Sequence, residues 1–262
     1  MSNTNRFSLT LETLAKLAAD TDAAPSSPLP ALPSLSAVLS EFSPLPRASL
    51  FLGIANDGLP ILLNLLDPLP GPILIVGDKG SGKTNFLQSI ADSVDRVQSL
   101  QEVRYFVLSD NLSEWKNAID SRNGEKIVSA REPECASCLH SMVASAHLNK
   151  GAQQTYLLLI DHLQSILETP EAQQDLRWLF LRGPARGVWP IVTINSSVAI
   201  SDLFRPWLDA FRTRLFGYIQ SDHEAQSLTG LSQVSFSHLM AGHQFAMREG
   251  NDWLSFWIPT LD

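Results

Sequence analysis

The eight residues Gly77-Asp78-Lys79-Gly80-Ser81-Gly82-Lys83-Thr84 satisfy the pattern G-x-x-x-x-G-K-[ST] in full. Its glycines let the backbone curl until successive N–H groups converge on one point. A helix must begin near Lys83, so that its positive dipole end adds to that focus. Both flanks fit. Residues 73–76 are Ile-Leu-Ile-Val, a buried strand, and Phe86, Leu87 and Ile90 share one face of a helix expected over residues 83–97. The group such a loop cradles is a nucleoside triphosphate. Lys83 reaches its β and γ phosphates as a point charge, and the Thr84 hydroxyl joins a magnesium shell. The expected ligands are ATP and Mg2+, with residues 77–84 as the binding loop.

A second part should be an acid at the end of a neighbouring strand, holding magnesium through water. Residues 156–160, Tyr-Leu-Leu-Leu-Ile, lead into Asp161. Apolar runs like these belong to strands buried on both faces, hence to a parallel sheet covered by helices. Strands are expected at residues 50–54, 61–65, 73–76, 103–108, 156–160, 191–194, 215–219, 244–248 and 253–258. Helices are expected at residues 83–97, 132–148 and 171–182. Strand and helix alternate through the middle, which gives a three-layer α/β sheet with helices on both faces. With the phosphate loop and Asp161 this resembles the P-loop NTPase sheet of RecA-like or ASCE type.

Composition narrows the class. Apolar residues make up 44% of 262 residues, enough for a substantial core, and no apolar run reaches bilayer length. The first residues are polar, so a cytoplasmic protein without a membrane span is expected. The formal net charge of −8 argues against general attraction to nucleic acid, though not against a locally basic groove. Cys135 and Cys138, followed by His140 and His147, have C-x-x-C spacing, but all four fall on one expected helix. Two small buried thiols suit i, i+3 spacing better than a zinc site, which draws its ligand pairs from separate segments.

The first 47 residues differ in character. Residues 7–19 can form a short amphipathic helix, with Leu11, Leu14, Leu17 and Ala18 on one face. Residues 21–47 hold six prolines among serines and alanines and read as a linker, with room for a short helix bearing Leu35, Val38, Leu39 and Phe42. Two domains are expected: 1–47, an N-terminal helix and Pro/Ser-rich linker, and 48–262, the ATPase. The N-terminal helix either packs on its own domain or docks a protein partner from a tether.

With these residues in hand, the chain resembles the motor domain of FtsK/HerA-type ATPases from about Leu50 onward. Leu52-Gly53-Ile54, Asp57-Gly58 and Leu63-Asn64-Leu65 resemble the family's lead-in hairpin. Gly80 to Leu87 resembles its phosphate loop and helix start. Ala185-Arg186-Gly187 resembles its entry into a strand ending in a polar sensor, here Asn195 where Gln is common. Phe211-Arg212-Thr213-Arg214-Leu215 resembles its Thr-Arg strand entry, and Leu239 to Phe245 its closing turn. Three departures stand out: His162 where a Glu usually follows the Asp, Asn195 for Gln, and Leu108-Ser109-Asp110-Asn111 in place of Asp-Pro-Lys.

The resemblance implies a homo-oligomer, a hexameric ring that moves double-stranded DNA by ATP hydrolysis. It implies magnesium held by Thr84 and Asp161, and an arginine, Arg214 or Arg186, supplied to a neighbour's γ phosphate. Asn195 would orient water or cap the loop at Ser196-Ser197. His162 would position water or be inert, with Glu168 a weak substitute for the missing Glu. The alternatives are a slow nucleotide-dependent switch or scaffold, and a secretion or conjugation ATPase moving polypeptide.

Overall fold

The structure, a computed structural model, describes residues 32–119, 121–149 and 154–262. The helix expected at residues 7–19 and the first part of the linker, residues 21–31, lie outside them. The described residues from Pro33 to Asp262 form one compact unit.

Its centre is a ten-stranded sheet in the order β2-β1-β10-β9-β8-β3-β7-β6-β4-β5. The strands are β1 Ser49–Ala55, β2 Pro60–Asn64, β3 Ile73–Gly77, β4 Val103–Ser109, β5 Gly124–Ser129, β6 Thr155–Asp161, β7 Val188–Asn195, β8 Thr213–Phe216, β9 Gln244–Glu249 and β10 Asp252–Trp257. From β8 to β5 all neighbours are parallel. From β8 to β2 they are antiparallel.

The parallel half needs crossover helices, and the chain supplies them on both sides. Alternate residues of one strand enter different cores. Leu74 and Val76 of β3 join Leu158, Ile160 and Val192 beneath α3 (Pro133–Leu148) and α5 (Pro170–Arg182). Ile73 and Ile75 join Leu157, Leu159 and Ile191 beneath Phe86, Leu87 and Ile90 of α2 (Lys83–Val97). Because strand side chains alternate faces, these two cores define three layers, and the sheet is of the expected class.

A third, small cluster seats α1, Leu35–Glu41, on the antiparallel half. Leu35, Val38 and Leu39 bury against Phe51, and the Leu35 N–H donates to Thr260 O at 2.8 Å. Residues 33–47, read from sequence as part of a linker, thus contribute apolar surface to the compact unit.

Several elements escaped the sequence reading or differ from it in extent. β5 is half exposed and lacks a long apolar run. β7 begins three residues early and carries Pro190 opposite Leu158 of β6. Helix α4 (Leu163–Leu167) is only a turn and a half, and α6 (Asp222–Thr229) buries only Ala225 and Leu228. No helix among the described residues is long and apolar enough to cross a membrane.

Candidate nucleotide site

The phosphate loop leaves β3 at Gly77 and enters α2 at Lys83. Two of its glycines sit in the left-handed region, Gly80 at φ 83° and Gly82 at φ 92°. At Gly82 a Cβ would lie 2.5 Å from the Gly242 carbonyl oxygen, so the backbone of the turn before β9 presses directly on the loop. Asp78 braces it from the other side. One carboxylate oxygen accepts the Ser196 hydroxyl and the other the Gln220 N–H at 2.8 Å, while the Asp78 N–H donates to Tyr218 O at 2.9 Å. The loop is therefore shaped by contacts from three separate segments, at Ser196, at Tyr218–Gln220 and at Gly242.

Lys83 is buried, and its ammonium donates to Gly77 O at 2.8 Å, Asp78 O at 2.7 Å and Ser81 Oγ at 3.3 Å. Burial lowers its pKa from the ordinary 10.5 to about 8, against the pull of Asp161 and Asp78.

Asp161 closes β6 and is 0% exposed. Its strand is not adjacent to β3 as expected, since β7 lies between them. Contact is still made, because α2 swings Thr84 over the sheet edge. The Thr84 hydroxyl donates to Asp161 at 3.2 and 3.1 Å. The buried carboxylate has a second hydroxyl partner that sequence reading passed over. Thr193 Oγ1, on the intervening β7, donates to Asp161 Oδ1 at 2.9 Å and accepts the His162 N–H at 2.9 Å. The signal was a lone polar residue inside the apolar run 191–194. A hydroxyl and a carboxylate are hard oxygen donors. That set suits magnesium, which binds one or two protein oxygens and keeps its waters.

His162 follows at φ 64° and ψ 68°, a left-handed geometry uncommon for a residue with a side chain. Its Nδ1 stands 3.6 Å from Asp161 Oδ1, and its ring borders an open cleft of about 510 Å³. Lys79, Lys83, Thr84 and Asn195 border the same cleft. Asn195 stands at the end of β7 beside Gly77. The cleft also reaches Glu114, which sequence reading did not consider.

The other expected site residues lie elsewhere. Arg214 is opposite Leu74, well before the phosphate loop. Its guanidinium donates to Phe211 O at 3.1 Å, Leu228 O at 3.2 Å and Leu208 O at 2.8 Å, and burial lowers its pKa. These bonds tie the residue expected to serve a neighbour's γ phosphate to three carbonyls of its own chain. The residue braces its own chain. Arg186 lies just before β7, at the opposite end of that strand from Asn195, a strand length of roughly 20 Å away. Glu168 is exposed beyond the far end of α4 and does not border the cleft.

The two cysteines face the core. Cys135 and Cys138 are buried beside Leu139 and Met142, and burial pushes the Cys135 thiol up to about 12. His140 turns to Asp175 at 3.3 Å, and His147 packs its ring on Trp178. Among the described residues no group of three or more His, Cys, Asp or Glu converges to hold a metal.

No family model matches the chain. A curated relative, the magnesium-chelatase subunit ChlI of Bigelowiella natans, is 30% identical over 83 residues, which is 29% of this chain and 21% of that protein. Among solved structures, Thermomonospora curvata EccC (ATPases 2 and 3), in complex with a signal sequence peptide, matches with a TM-score of 0.70 at 14% identity, over 92% of this chain and 45% of that one. EssC (ATPases 2 and 3) from Geobacillus thermodenitrificans matches with a TM-score of 0.70 at 13% identity, over 91% and 48%. The genome packaging NTPase B204 of Sulfolobus turreted icosahedral virus 2, in complex with AMPPCP, matches with a TM-score of 0.53 at 14% identity, over 75% of this chain and 100% of that one. The chain spans 21% of the length of the curated relative and less than half of the EccC and EssC chains. At these identities the likeness is one of fold, and the fold is that of P-loop ATPases.

Proposed function

We propose that the chain binds ATP with magnesium in this cleft and hydrolyses it as a subunit of an FtsK/HerA-like ring. The observation that carries this reading is the meeting of Thr84 and Asp161 at the carboxyl edge of the sheet, beside Lys83. Ligands of open parallel sheets bind at that edge.

The residues divide the work. Backbone N–H groups of residues 78–84 cradle the phosphates. Lys83 exchanges the carbonyls of Gly77 and Asp78 for phosphate oxygens. Thr84 and Asp161 hold the magnesium, which neutralises charge on the phosphates. Thr193 keeps the Asp161 carboxylate fixed, and Asn195 hydrogen-bonds the attacking water. Arg186 is the remaining candidate for an arginine given to a neighbouring subunit. Such groups act by positioning and electrostatics and are worth about 10³–10⁵ in rate in comparable phosphoryl transfers.

In this reading the ring is hexameric and moves double-stranded DNA. A second reading is a polypeptide-moving ATPase. The net charge of −8 favours it, as does the fold shared with EccC, whose structure contains a signal sequence peptide. His162 in place of Glu favours a third, a slow nucleotide-dependent switch.

Steady-state ATPase assays over a range of protein concentrations, with double-stranded DNA or an unfolded polypeptide at two salt concentrations, separate them. A DNA motor ring shows turnover per subunit rising with protein concentration, and stimulation by DNA that weakens with salt. Stimulation by polypeptide alone selects the second reading. Constant turnover per subunit in a monomer at every concentration excludes the ring.

A further inference from the structure

The position after Asp161 offers no carboxylate to receive a proton from water, yet a carboxylate stands across the cleft. Glu114 is the one acidic residue that borders the cleft among the described residues, and it also borders a neighbouring cavity beside Gln88 and Trp115. It sits on a 3-10 turn, Leu112–Trp115, that follows β4. β4 runs beside β6 with Ser109 opposite Asp161, so the loop carrying Glu114 leaves the sheet next to the magnesium acid.

The placement of Glu114 is fixed from several directions. Gln88 Nε2 donates to the Glu114 carbonyl at 2.7 Å. Gln88 follows Thr84 by four residues on α2, so the two share a helix face about one turn apart. Thr84 touches the Asp161 carboxylate and Gln88 the Glu114 main chain, so one helix face holds both the magnesium acid and the turn that carries Glu114. Asn111 Nδ2 donates to Glu114 Oε1 at 2.6 Å, which orients the carboxylate and leaves its second oxygen available. The next residue, Trp115, is 1% exposed and anchors the turn in the core beside α2.

We infer that Glu114 is the water-activating carboxylate of this site. The inference rests on the proposed ATP hydrolysis. In the step, the water oxygen forms a bond to the γ phosphorus while the bond from that phosphorus to the β–γ bridging oxygen breaks. The bond electrons leave on the terminal oxygen of ADP. The Glu114 carboxylate takes the water proton and afterwards releases it to phosphate or solvent. Asn111 is a positioning residue for that carboxylate.

The test uses the full chain with Glu114→Gln, which keeps shape and hydrogen bonding but cannot take the proton, and Glu114→Asp, which keeps the charge and shortens its reach. Turnover, ATP affinity by calorimetry and the identity of nucleotide extracted after incubation are read together, with a melting curve for folding. The expected result is a loss of turnover by a factor of about 10²–10⁴ in Glu114→Gln, with ATP affinity within threefold of wild type and unhydrolysed ATP recovered from the protein. Glu114→Asp should retain part of the rate, with the same affinity. Turnover within threefold of wild type in a folded Glu114→Gln overturns the inference and leaves ATP hydrolysis standing. A wild type that binds ATP without turning it over also overturns the inference. A wild type that binds no ATP overturns the functional reading beneath it.

Discussion

Burial lowers the pKa of the Lys83 ammonium to about 8, well under the ordinary 10.5, although the charged form donates to three oxygens of its own loop. A lowered lysine pKa means that the charged form is disfavoured in the fold. The cost is fully present below about pH 8 and is relieved as pH rises toward 10.5, where the unfolded chain still holds the proton and the folded chain does not. Phosphate oxygens reverse the preference, because they pair with the charged form. Nucleotide binding above pH 8 therefore takes up a proton. ATP affinity should be flat below about pH 8 and weaken by up to about tenfold per pH unit above it. Calorimetry in buffers of different ionisation enthalpy measures both the affinity and the proton uptake. Affinity independent of pH up to 9.5, with no uptake, would mean that Lys83 does not meet the phosphates. The importance of Lys83 was legible from the motif alone. Its lowered pKa was not, because burial is a property of the folded chain. His162 shows the same division: its identity stood out in the sequence, its left-handed backbone did not.

At the scale of elements, long buried segments were legible and short or half-exposed ones were not. Helix α2 was read with its observed bounds, since an amphipathic face and a glycine start coincide. β3, β4, β6, β9 and β10 were found from apolar runs or alternation. β5 and α6 carry too few apolar residues to announce themselves, and the pairing order places β7 between β3 and β6, which no local pattern encodes. The contact between the turn at Gly242 and the phosphate loop is likewise long-range. It makes Gly82 the loop position least able to accept a side chain: φ is 92°, and the added Cβ would meet the Gly242 carbon, Cα and oxygen at 2.5 to 2.8 Å. Gly82→Ala should lower ATP affinity at least about tenfold and cost on the order of 1–3 kcal/mol of stability. Gly80→Ala meets no atoms and should cost only the left-handed backbone strain, about 1 kcal/mol. Urea unfolding of the two variants measures the difference. Equal loss in both would show that the turn at Gly242 does not press on the loop in solution.

The whole molecule combines a parallel half that carries the site with an antiparallel half that reaches back to it. β9 follows the turn at Gly242 that supports the phosphate loop, and β10 pairs β9 with β1. α1 and the segment near Thr260 fasten the outer edge of this half. The antiparallel half thus meets the phosphate loop at this turn and packs Phe245 and Phe256 on Phe86 of α2. The three-layer class was legible because its strands are continuous apolar runs. The arginine roles were not legible, because motif position alone could not show that Arg214 is tied to three carbonyls of its own chain. All of the functional reading depends on one binding event, and calorimetric titration of ATP with and without magnesium tests it most directly. The wild type should bind with magnesium-dependent affinity. Asp161→Asn should keep much of the affinity but lose the magnesium dependence, and Lys83→Ala, folded by its melting curve, should bind at least about a hundredfold more weakly. Equal ATP affinity in wild type and Lys83→Ala, or no heat from either, would contradict a nucleotide site at this loop.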